Sequence, residues 1–310
     1  MLKVKEEEMK RTFRAILVLA VAMLGFAQSG CQPIQLTPTF PATQVLPTPE
    51  LLLPIWWMNP TLSSQAPIPI SATTDIPYTS EELLDVYAPV SAGDWPIVVV
   101  FHGGGDYKGM VSSLAQAIAE QGAVVFAPTF HSSAPKPSSR IGLGAEDAAC
   151  AVRFARAHAS TYGSDNDRVI VVGHSIGGLM GALMMFAGDD FQGDCLTQEG
   201  SALPDAFVGL DGGYEPIPFI PEELLTADPA GCLKIDPFTY IDQKPVREGV
   251  SFLLFVGSYL TAQVQGQAFR DALQAAGYEV QLVQIPGIDH NDMARPQPQT
   301  LNAIAELLHP

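Results

Sequence analysis

The sequence is short of positive charge, of cysteine and of metal-binding motifs. Its 16 Lys and Arg residues stand against 33 Asp and Glu, a formal net charge of −17 over 310 residues. Binding to a phosphate backbone depends on clustered Lys and Arg, so this balance argues against a nucleic-acid partner. The four cysteines include no CxxC pair, which excludes a zinc ribbon, a thioredoxin-type site and a disulfide-rich scaffold. We expect neither a metal nor an organic cofactor.

No long apolar run is present, but a short one lies near the start. A basic stretch over residues 9–14 precedes thirteen apolar residues at 15–27. A helix of that length reaches about 20 Å, whereas a bilayer core is roughly 30 Å thick. A charged start, a short apolar stretch and then small residues are typical of a cleaved secretory signal. We therefore predict a signal peptide over residues 1–30 and an exported protein.

The segment after this signal predicts a tether. Residues 28–31, Gln-Ser-Gly-Cys, resemble a bacterial lipobox, in which the cysteine, here Cys31, is acylated and becomes the new N-terminus. The alternative is a secreted protein cleaved after Ala27. Repeated Thr-Pro and Pro-x-Pro steps then disfavour both helix and central strand. We predict a Pro-rich tether over 31–80, a folded domain over 81–310, and contact with a membrane only through a lipid on Cys31.

From residue 96 onward, short β-branched apolar runs alternate with helical stretches. Uniformly apolar runs of this kind are expected of strands that are buried on both faces of a parallel sheet. The alternation predicts an α/β domain with a doubly wound, mostly parallel sheet. We predict strands over 96–101, 122–128, 168–173, 206–211, 251–257 and 279–285, and helices over 110–121, 144–159, 176–187 and 263–276.

One predicted strand leads directly into Gly173-His174-Ser175-Ile176-Gly177 and then into a helix. This GxSxG pattern forms a strand-to-helix turn so tight that small residues are needed on either side of a serine in a strained conformation. Reactive groups in such sheets collect at the carboxyl ends of the strands. We predict Ser175 as a nucleophile, with the positive dipole end of the helix from Ile176 pointing at it.

A glycine-rich loop, His102-Gly103-Gly104-Gly105, follows the strand predicted over 96–101. Glycines let backbone N–H groups approach a reacting carbonyl with no side chain in the way. The amides of Gly104 and Gly105, together with that of Ile176, are therefore candidates for an oxyanion hole. We expect His102 to brace this loop rather than to transfer protons.

His290 is the candidate base. It is the only one of six histidines that lies just after the last predicted strand, in a loop that begins at Pro286. Imidazole near neutral pH can take the serine proton and return it to the leaving group. Its position after a strand brings it to the same edge of the sheet as Ser175.

The motifs occur in a recognisable order: Leu84-Asp85-Val86-Tyr87-Ala88-Pro89, then the glycine loop, then GxSxG followed by Gly178, and finally Gly287-Ile288-Asp289-His290. In this order they resemble the alpha/beta-hydrolase superfamily, and most closely bacterial carboxylesterases akin to hormone-sensitive lipase and feruloyl esterases, over about residues 75–310. The resemblance implies the alpha/beta-hydrolase fold and a serine esterase. It assigns Ser175 as nucleophile, His290 as base, and Gly104, Gly105 and Ile176 as oxyanion donors.

The acid of the triad departs from the family pattern. The family usually places Asp in a Gly-x-x-Asp segment after the seventh strand, where this chain has Gly257-Ser258-Tyr259-Leu260. Leucine cannot fix the tautomer of a histidine. Asp211, at the end of the sixth strand, is the leading substitute, since some lipases supply their acid from there. Asp289, Asp292 and a Ser-His dyad remain alternatives.

Two acidic, Pro-rich segments, 188–204 and 214–241, flank the sixth strand, where the superfamily places lids or substrate pockets. Cys195 and Cys232 lie in these segments, and an exported protein folds in an oxidising compartment, so we predict a disulfide between them. Cys150 lies in a helical apolar pattern and is expected to be a small core residue.

The sequence as a whole predicts a serine carboxylesterase that acts through an acyl-enzyme on short or medium esters, either small molecules or polymers. A peptidase, or a polyester or feruloyl-ester hydrolase, on the same scaffold is an alternative. Leu260 leaves open a third possibility, a non-catalytic envelope lipoprotein that retains the fold.

Overall fold

The computed structural model describes residues 66–132, 142–216, 220, 222–245 and 247–309. The predicted signal peptide, Cys31 and most of the predicted tether lie outside these residues. The described part contains an eight-stranded sheet. Its strands are β1 (Ile70–Pro77), β2 (Leu83–Pro89), β3 (Ile97–Phe101), β4 (Val124–Pro128), β5 (Val169–His174), β6 (Ala206–Leu210), β7 (Ser251–Val256) and β8 (Val280–Gln284).

The strand order is β1-β2-β4-β3-β5-β6-β7-β8. The pairs β1·β2 and β2·β4 are antiparallel, and the other five pairs are parallel. All six strands predicted from the sequence are present. The prediction of a doubly wound, mostly parallel sheet is confirmed.

The central strands are buried on both faces, as their uniform apolar character predicts. In β3, Ile97, Val99 and Phe101 face one hydrophobic core, whereas Val98 and Val100 face the other. The helices that cover the sheet are α1 (Ser112–Ala119), α2 (Leu143–His158), α3 (Ile176–Ala187), α7 (Leu260–Ala275) and α8 (Pro298–Leu308). Buried residues of α2, α3 and α7 belong to the first core, and those of α1 and α8 to the second.

The predicted boundary of the tether at residue 80 is wrong, because β1 is part of the sheet. Its sequence, ISATTDIP, carries little apolar periodicity, and most of its side chains are exposed at the sheet edge. Asp75 has a φ of 58°, and its N–H donates to Asp85 Oδ1 at 3.0 Å. The Lys108 ammonium joins Asp75 to Asp85 at 2.8 and 2.5 Å. Polar contacts therefore hold β1 against the domain.

Three short helices occupy the predicted insertion after β6. They are α4 (Glu222–Ala227), α5 (Pro229–Lys234) and α6 (Pro237–Gln243). The side chains of Asp228 and Asp236 cap α5 and α6 by accepting backbone N–H bonds, and each helix has Pro at its start. Among the described helices none has the length and apolar character needed to span a bilayer.

The predicted Cys195–Cys232 disulfide is wrong: the bond joins Cys150 to Cys195, with a Cα–Cα distance of 5.0 Å. Cys150 is buried in α2, and the segment 188–204 passes over it. The close approach requires Gly193, where an added Cβ would lie 2.8 Å from Cys150 Sγ. Cys232 is a buried thiol in α5. Cys195 pairs with Cys150 because the fold brings their two segments together, and the order of the cysteines in the sequence does not show this.

Candidate active site

Ser175 lies on the turn between β5 and α3. Its φ of 56° and ψ of −117° are unusual for a residue with a side chain. A Cβ added at Gly173 would lie 2.1 Å from the Gly177 carbonyl oxygen, and one added at Gly177 would lie 2.4 Å from the Phe101 oxygen. The Ser175 N–H donates to the Leu210 carbonyl at 3.0 Å. The two glycines therefore allow the sharp turn that places the hydroxyl at the carboxyl edge of the sheet.

Ser175, His290 and Asp211 form a continuous hydrogen-bonded chain. The His290 Nδ1 is 3.2 Å from Asp211 Oδ2, and its Nε2 is 3.0 Å from Ser175 Oγ. A carboxylate only accepts, so Nδ1–H donates to Asp211 and Nε2 is left to accept the serine O–H. The structure thus brings together all three residues predicted from the sequence, in the order in which a serine proton can be withdrawn.

Asp211 occupies the position of the acid. Its side chain is fully buried, and Oδ1 accepts the Gly257 N–H at 2.7 Å. Leu260 lies 70% exposed at the start of α7. The other candidate carboxylates have partners of their own, since Asp289 Oδ1 accepts the N–H of Asp292, and Asp292 pairs with Arg295. The carboxylate beside His290 therefore comes from the end of β6.

His174 is a site residue to which sequence reasoning gave no role. It is 4% exposed, and its Nε2 is 2.7 Å from the backbone carbonyl oxygen of His290. Burial, together with the neighbouring His290, lowers the pKa of His174 to about 4. The neutral ring donates its Nε2–H to that carbonyl, while its buried Nδ1 has no partner among the described residues. The only sequence signal for a role of His174 was its position directly before the predicted nucleophile.

The glycine loop packs against the serine turn. A Cβ at Gly104 would lie 3.0 Å from the Ile176 side chain. As the first residue of α3, Ile176 has an N–H without an acceptor inside the helix. The Gly105 N–H, in contrast, donates to Ser132 Oγ at 3.2 Å. Of the three predicted oxyanion donors, Gly105 is therefore already engaged by a side chain.

His102 braces this loop from within the domain. It is completely buried, its ring stacks on Phe130 with centroids 4.4 Å apart, and its Nδ1 is 2.8 Å from the Gly103 carbonyl oxygen. Burial lowers the pKa of His102. A neutral ring therefore donates to Gly103 and lies apart from the chain formed by Ser175, His290 and Asp211.

The hydroxyl of Ser175 opens onto a cavity of about 870 Å³. The insertion 214–241 contributes Pro216, Ile220 and Ile235, as predicted for a pocket segment. Within the described lining, the segment 188–204 contributes nothing, so the prediction of a pocket there is wrong. The lining is mainly apolar and, among the described residues, contains no Lys or Arg. The other apolar side chains of the lining include Phe130 after β4, Leu143 of α2, and Ile176, Leu179 and Met180 of α3.

A polar cluster of Glu82, His131 and Asp147 lies at the wall of this cavity. Its ligand-type atoms fall within 4.8 Å of one another, a spacing that a metal ion would also need. Asp147 Oδ2, however, accepts both the backbone N–H and the ring Nδ1–H of His131, at 3.0 and 2.6 Å. This hydrogen bond raises the pKa of His131. The hydrogen bonds from His131 to Asp147 account for the contact between these two residues.

The strand order, the serine on the turn after β5, the histidine after β8 and the buried carboxylate after β6 together define an alpha/beta-hydrolase. The chain has the fold of that superfamily. Its residues 84–206 match the BD-FAE family model.

Comparison with known proteins places esterases among its relatives. A probable isoprenylcysteine alpha-carbonyl methylesterase of Oryza sativa is 27% identical over 235 residues, 68% of this chain and 54% of that protein. The chain therefore spans about half the length of the curated relatives that it matches.

Solved structures show the same fold at low identity. A truncated carbohydrate esterase from gut microbiota superposes with a TM-score of 0.60 at 18% identity, covering 79% of this chain and 98% of that one. An esterase of Thermogutta terrifontis with bound butyrate gives 0.59 at 18% identity, covering 76% and 91%.

Proposed function

We propose that the protein is a serine carboxylesterase that hydrolyses short or medium carboxylic esters through an acyl-enzyme. The observation that carries this proposal is the chain from Asp211 through His290 to Ser175, which ends at the wall of an apolar cavity. The similarity to proteins named as esterases supports an ester as the bond that is cleaved.

The proposed reaction follows from the hydrogen bonds. Ser175 Oγ attacks the ester carbonyl carbon while His290 Nε2 takes the hydroxyl proton, and Asp211 stabilises the imidazolium that forms. The carbonyl oxygen gains the negative charge, and the amides of Gly104 and Ile176 are the proposed donors to it. His290 then gives its proton to the departing alcohol oxygen.

The second half repeats these roles with water. His290 Nε2 removes a proton from the water that attacks the acyl carbon of the Ser175 ester. The tetrahedral species collapses, the carboxylic acid leaves, and the proton returns to Ser175 Oγ. The mainly apolar lining suits a hydrocarbon acyl or alcohol group, and the cavity volume suits a small or medium one.

The proposed location is outside the cytoplasmic membrane, either as a lipoprotein anchored through Cys31 or as a secreted protein. The predicted signal over residues 1–30 supports export. The Cys150–Cys195 disulfide supports it independently, because such bonds persist in oxidising compartments.

The non-catalytic alternative rested on Leu260 in place of an acid, and the position of Asp211 beside His290 removes that argument. A direct test uses protein lacking residues 1–31 and p-nitrophenyl esters of short acids. Wild-type protein should release p-nitrophenol, and Ser175→Ala should lower kcat by about 10⁴-fold or more. Equal rates in the two proteins would reject the proposal.

A further inference from the structure

Exposed apolar side chains concentrate at the mouth of the cavity. Among the described residues the structure exposes nine large apolar side chains, and five of them lie in two short segments that adjoin or contain residues of the cavity lining. Single exposed apolar residues are ordinary on a protein surface, but a group of them around a functional opening marks a surface that contacts something.

The two segments form lips on opposite sides of the site. The first lip is Tyr107 with Met110, in the loop after β3, and the second lip is Tyr259, Leu260 and Val264, at the start of α7. The strands β5 and β6, which lead to Ser175 and Asp211, lie between β3 and β7 in the sheet. At about 4.8 Å per strand, β3 and β7, the strands that precede the two lips, are separated by roughly 14 Å, and the strand that leads to the nucleophile lies between them.

Both lips are continuous with the cavity. Asp106, directly before the first lip, lines the cavity, and so does Tyr259 in the second. Tyr107 and Val264 are each 60% exposed, and Leu260 is 70% exposed. Leu260 and Val264 are four residues apart on α7, which places them on one face of the helix. The lips therefore adjoin residues that line the cavity.

The charges near the lips indicate whether they can bind an anionic or an uncharged surface. Lys108, which lies between Tyr107 and Met110, is paired with Asp75 and Asp85. The described lining of the cavity has no Lys or Arg, and the whole chain carries a net charge of −17. An anionic lipid surface would be repelled, and an uncharged one would not.

We propose that the two lips bind the surface of an aggregated, uncharged lipid ester, so that the enzyme takes its substrate from an apolar aggregate rather than from solution. This inference rests on the proposed esterase function. On an aggregate the lips exchange water for hydrocarbon, and the cavity between them receives one ester molecule without exposing it to water.

The test compares one substrate below and above its solubility limit. The full chain carries Cys31→Ser, so that no acyl group on the protein contributes. Hydrolysis of an uncharged triglyceride with short acyl chains is followed by titrating the released acid. Leu260→Ser/Val264→Ser should lower the rate on the emulsion by about tenfold or more, because the variant has two fewer exposed apolar side chains to transfer from water to the droplet.

Two controls isolate the lips. Val90→Ser removes an equally exposed apolar side chain, 65% against 70% for Leu260, at the opposite edge of the sheet, and should leave the emulsion rate unchanged. Dissolved p-nitrophenyl acetate should be hydrolysed by all variants within about twofold of each other, since no lip is needed for a monomer.

Binding of the Ser175→Ala protein to emulsion droplets, measured by flotation, tests the surface without catalysis. If p-nitrophenyl acetate is not hydrolysed at all, the esterase proposal fails, while flotation still decides on the lips. The lip proposal is overturned if Leu260→Ser/Val264→Ser binds droplets like Val90→Ser or slows both substrates equally. It is also overturned if sedimentation shows a wild-type dimer that these substitutions dissociate.

Discussion

Asp211 supplies the carboxylate that accepts the hydrogen bond from His290 Nδ1. Asp211→Asn keeps an oxygen for the Gly257 N–H but removes the charge that stabilises protonated His290. We expect kcat for p-nitrophenyl acetate to fall by about 10⁴-fold, with an unchanged thermal unfolding midpoint within a few degrees.

Asp289→Asn and Asp292→Asn are the matched controls for this substitution. Their carboxylates bind a backbone N–H and Arg295, respectively, so both variants should retain nearly full activity. Near-normal turnover of Asp211→Asn, or a collapse caused by either control, would assign the acid elsewhere.

His174 acts on the site through the backbone of His290. Leucine at this position fills the space but loses the hydrogen bond to the His290 carbonyl, whereas glutamine can reach it with an N–H. His174→Leu should lower kcat roughly 10- to 100-fold with little change in KM, because the base shifts relative to Ser175. His174→Gln should recover most of the loss.

Steady-state kinetics with a dissolved ester measures this split directly. A purely structural role for His174 predicts a lower unfolding midpoint in both variants with the kcat of the folded fraction unchanged, and that outcome would contradict positioning.

The sequence motifs were sufficient to predict those site residues whose geometry depends only on their neighbours in the chain. The serine turn and the glycine loop are contiguous in sequence, and their backbone requirements restrict the residue types. Asp211 and His290 lie 79 residues apart, so their contact depends on the complete sheet. The engagement of Gly105 by Ser132 and the hydrogen bond of His174 are likewise tertiary contacts, and no local pattern encodes them.

Among the secondary-structure elements, the six strands from β3 to β8 and the long helices between them were predictable, whereas β1 and the buried β2 were not. β3 is apolar on both faces, so its sequence is recognisable as a buried strand without knowledge of its neighbours. β1 is mostly exposed and polar, and it forms a strand because β2 offers it a free edge and Lys108 ties its bulge to Asp85. Helix α8 escaped prediction as well, although its buried face, including Leu301 and Ile304, completes the second core.

The Cys150–Cys195 disulfide fastens the segment after α3 to α2. It closes a loop with a sequence separation of 45, for which chain entropy gives a stabilisation of about 4 kcal/mol. Cys150→Ala/Cys195→Ala should lower the free energy of unfolding in urea by about this amount. Reduction with dithiothreitol should destabilise the wild-type protein and leave the double variant unchanged.

Cys232→Ala serves as the control for this bond, because it preserves the disulfide and its sensitivity to the reductant. A Cys195–Cys232 cross-link in peptide mass spectrometry, or a wild-type protein that is indifferent to dithiothreitol, would disprove the pairing.

For the whole molecule, the buried His174 couples stability to pH. Its pKa is about 4 in the folded chain against 6.5 as the ordinary value. Between these values the unfolded chain binds a proton that the folded chain does not, so stability falls as the pH drops from about 6.5 to 4. The contribution of this residue is about 3 kcal/mol.

His131 contributes with the opposite sign, because its folded pKa is raised by the hydrogen bond to Asp147. Its stabilisation is present at low pH and is lost as the pH rises through the folded pKa.

Urea unfolding at pH 7, 5.5 and 4.5 tests the contribution of His174. The free energy of unfolding should fall less between pH 7 and pH 4.5 in His174→Gln than in wild type. Equal losses in the two proteins would mean that His174 does not resist protonation.

The proposed esterase activity depends on Ser175 being made nucleophilic by His290. Reaction with a fluorophosphonate probe, followed by peptide mass spectrometry, tests this most directly, because no substrate has to be guessed. We predict one adduct per chain, on Ser175, with labelling slowed by orders of magnitude in His290→Ala. Labelling of another residue, or equal labelling of the Ser175→Ala protein, would contradict the assignment of Ser175 as the nucleophile.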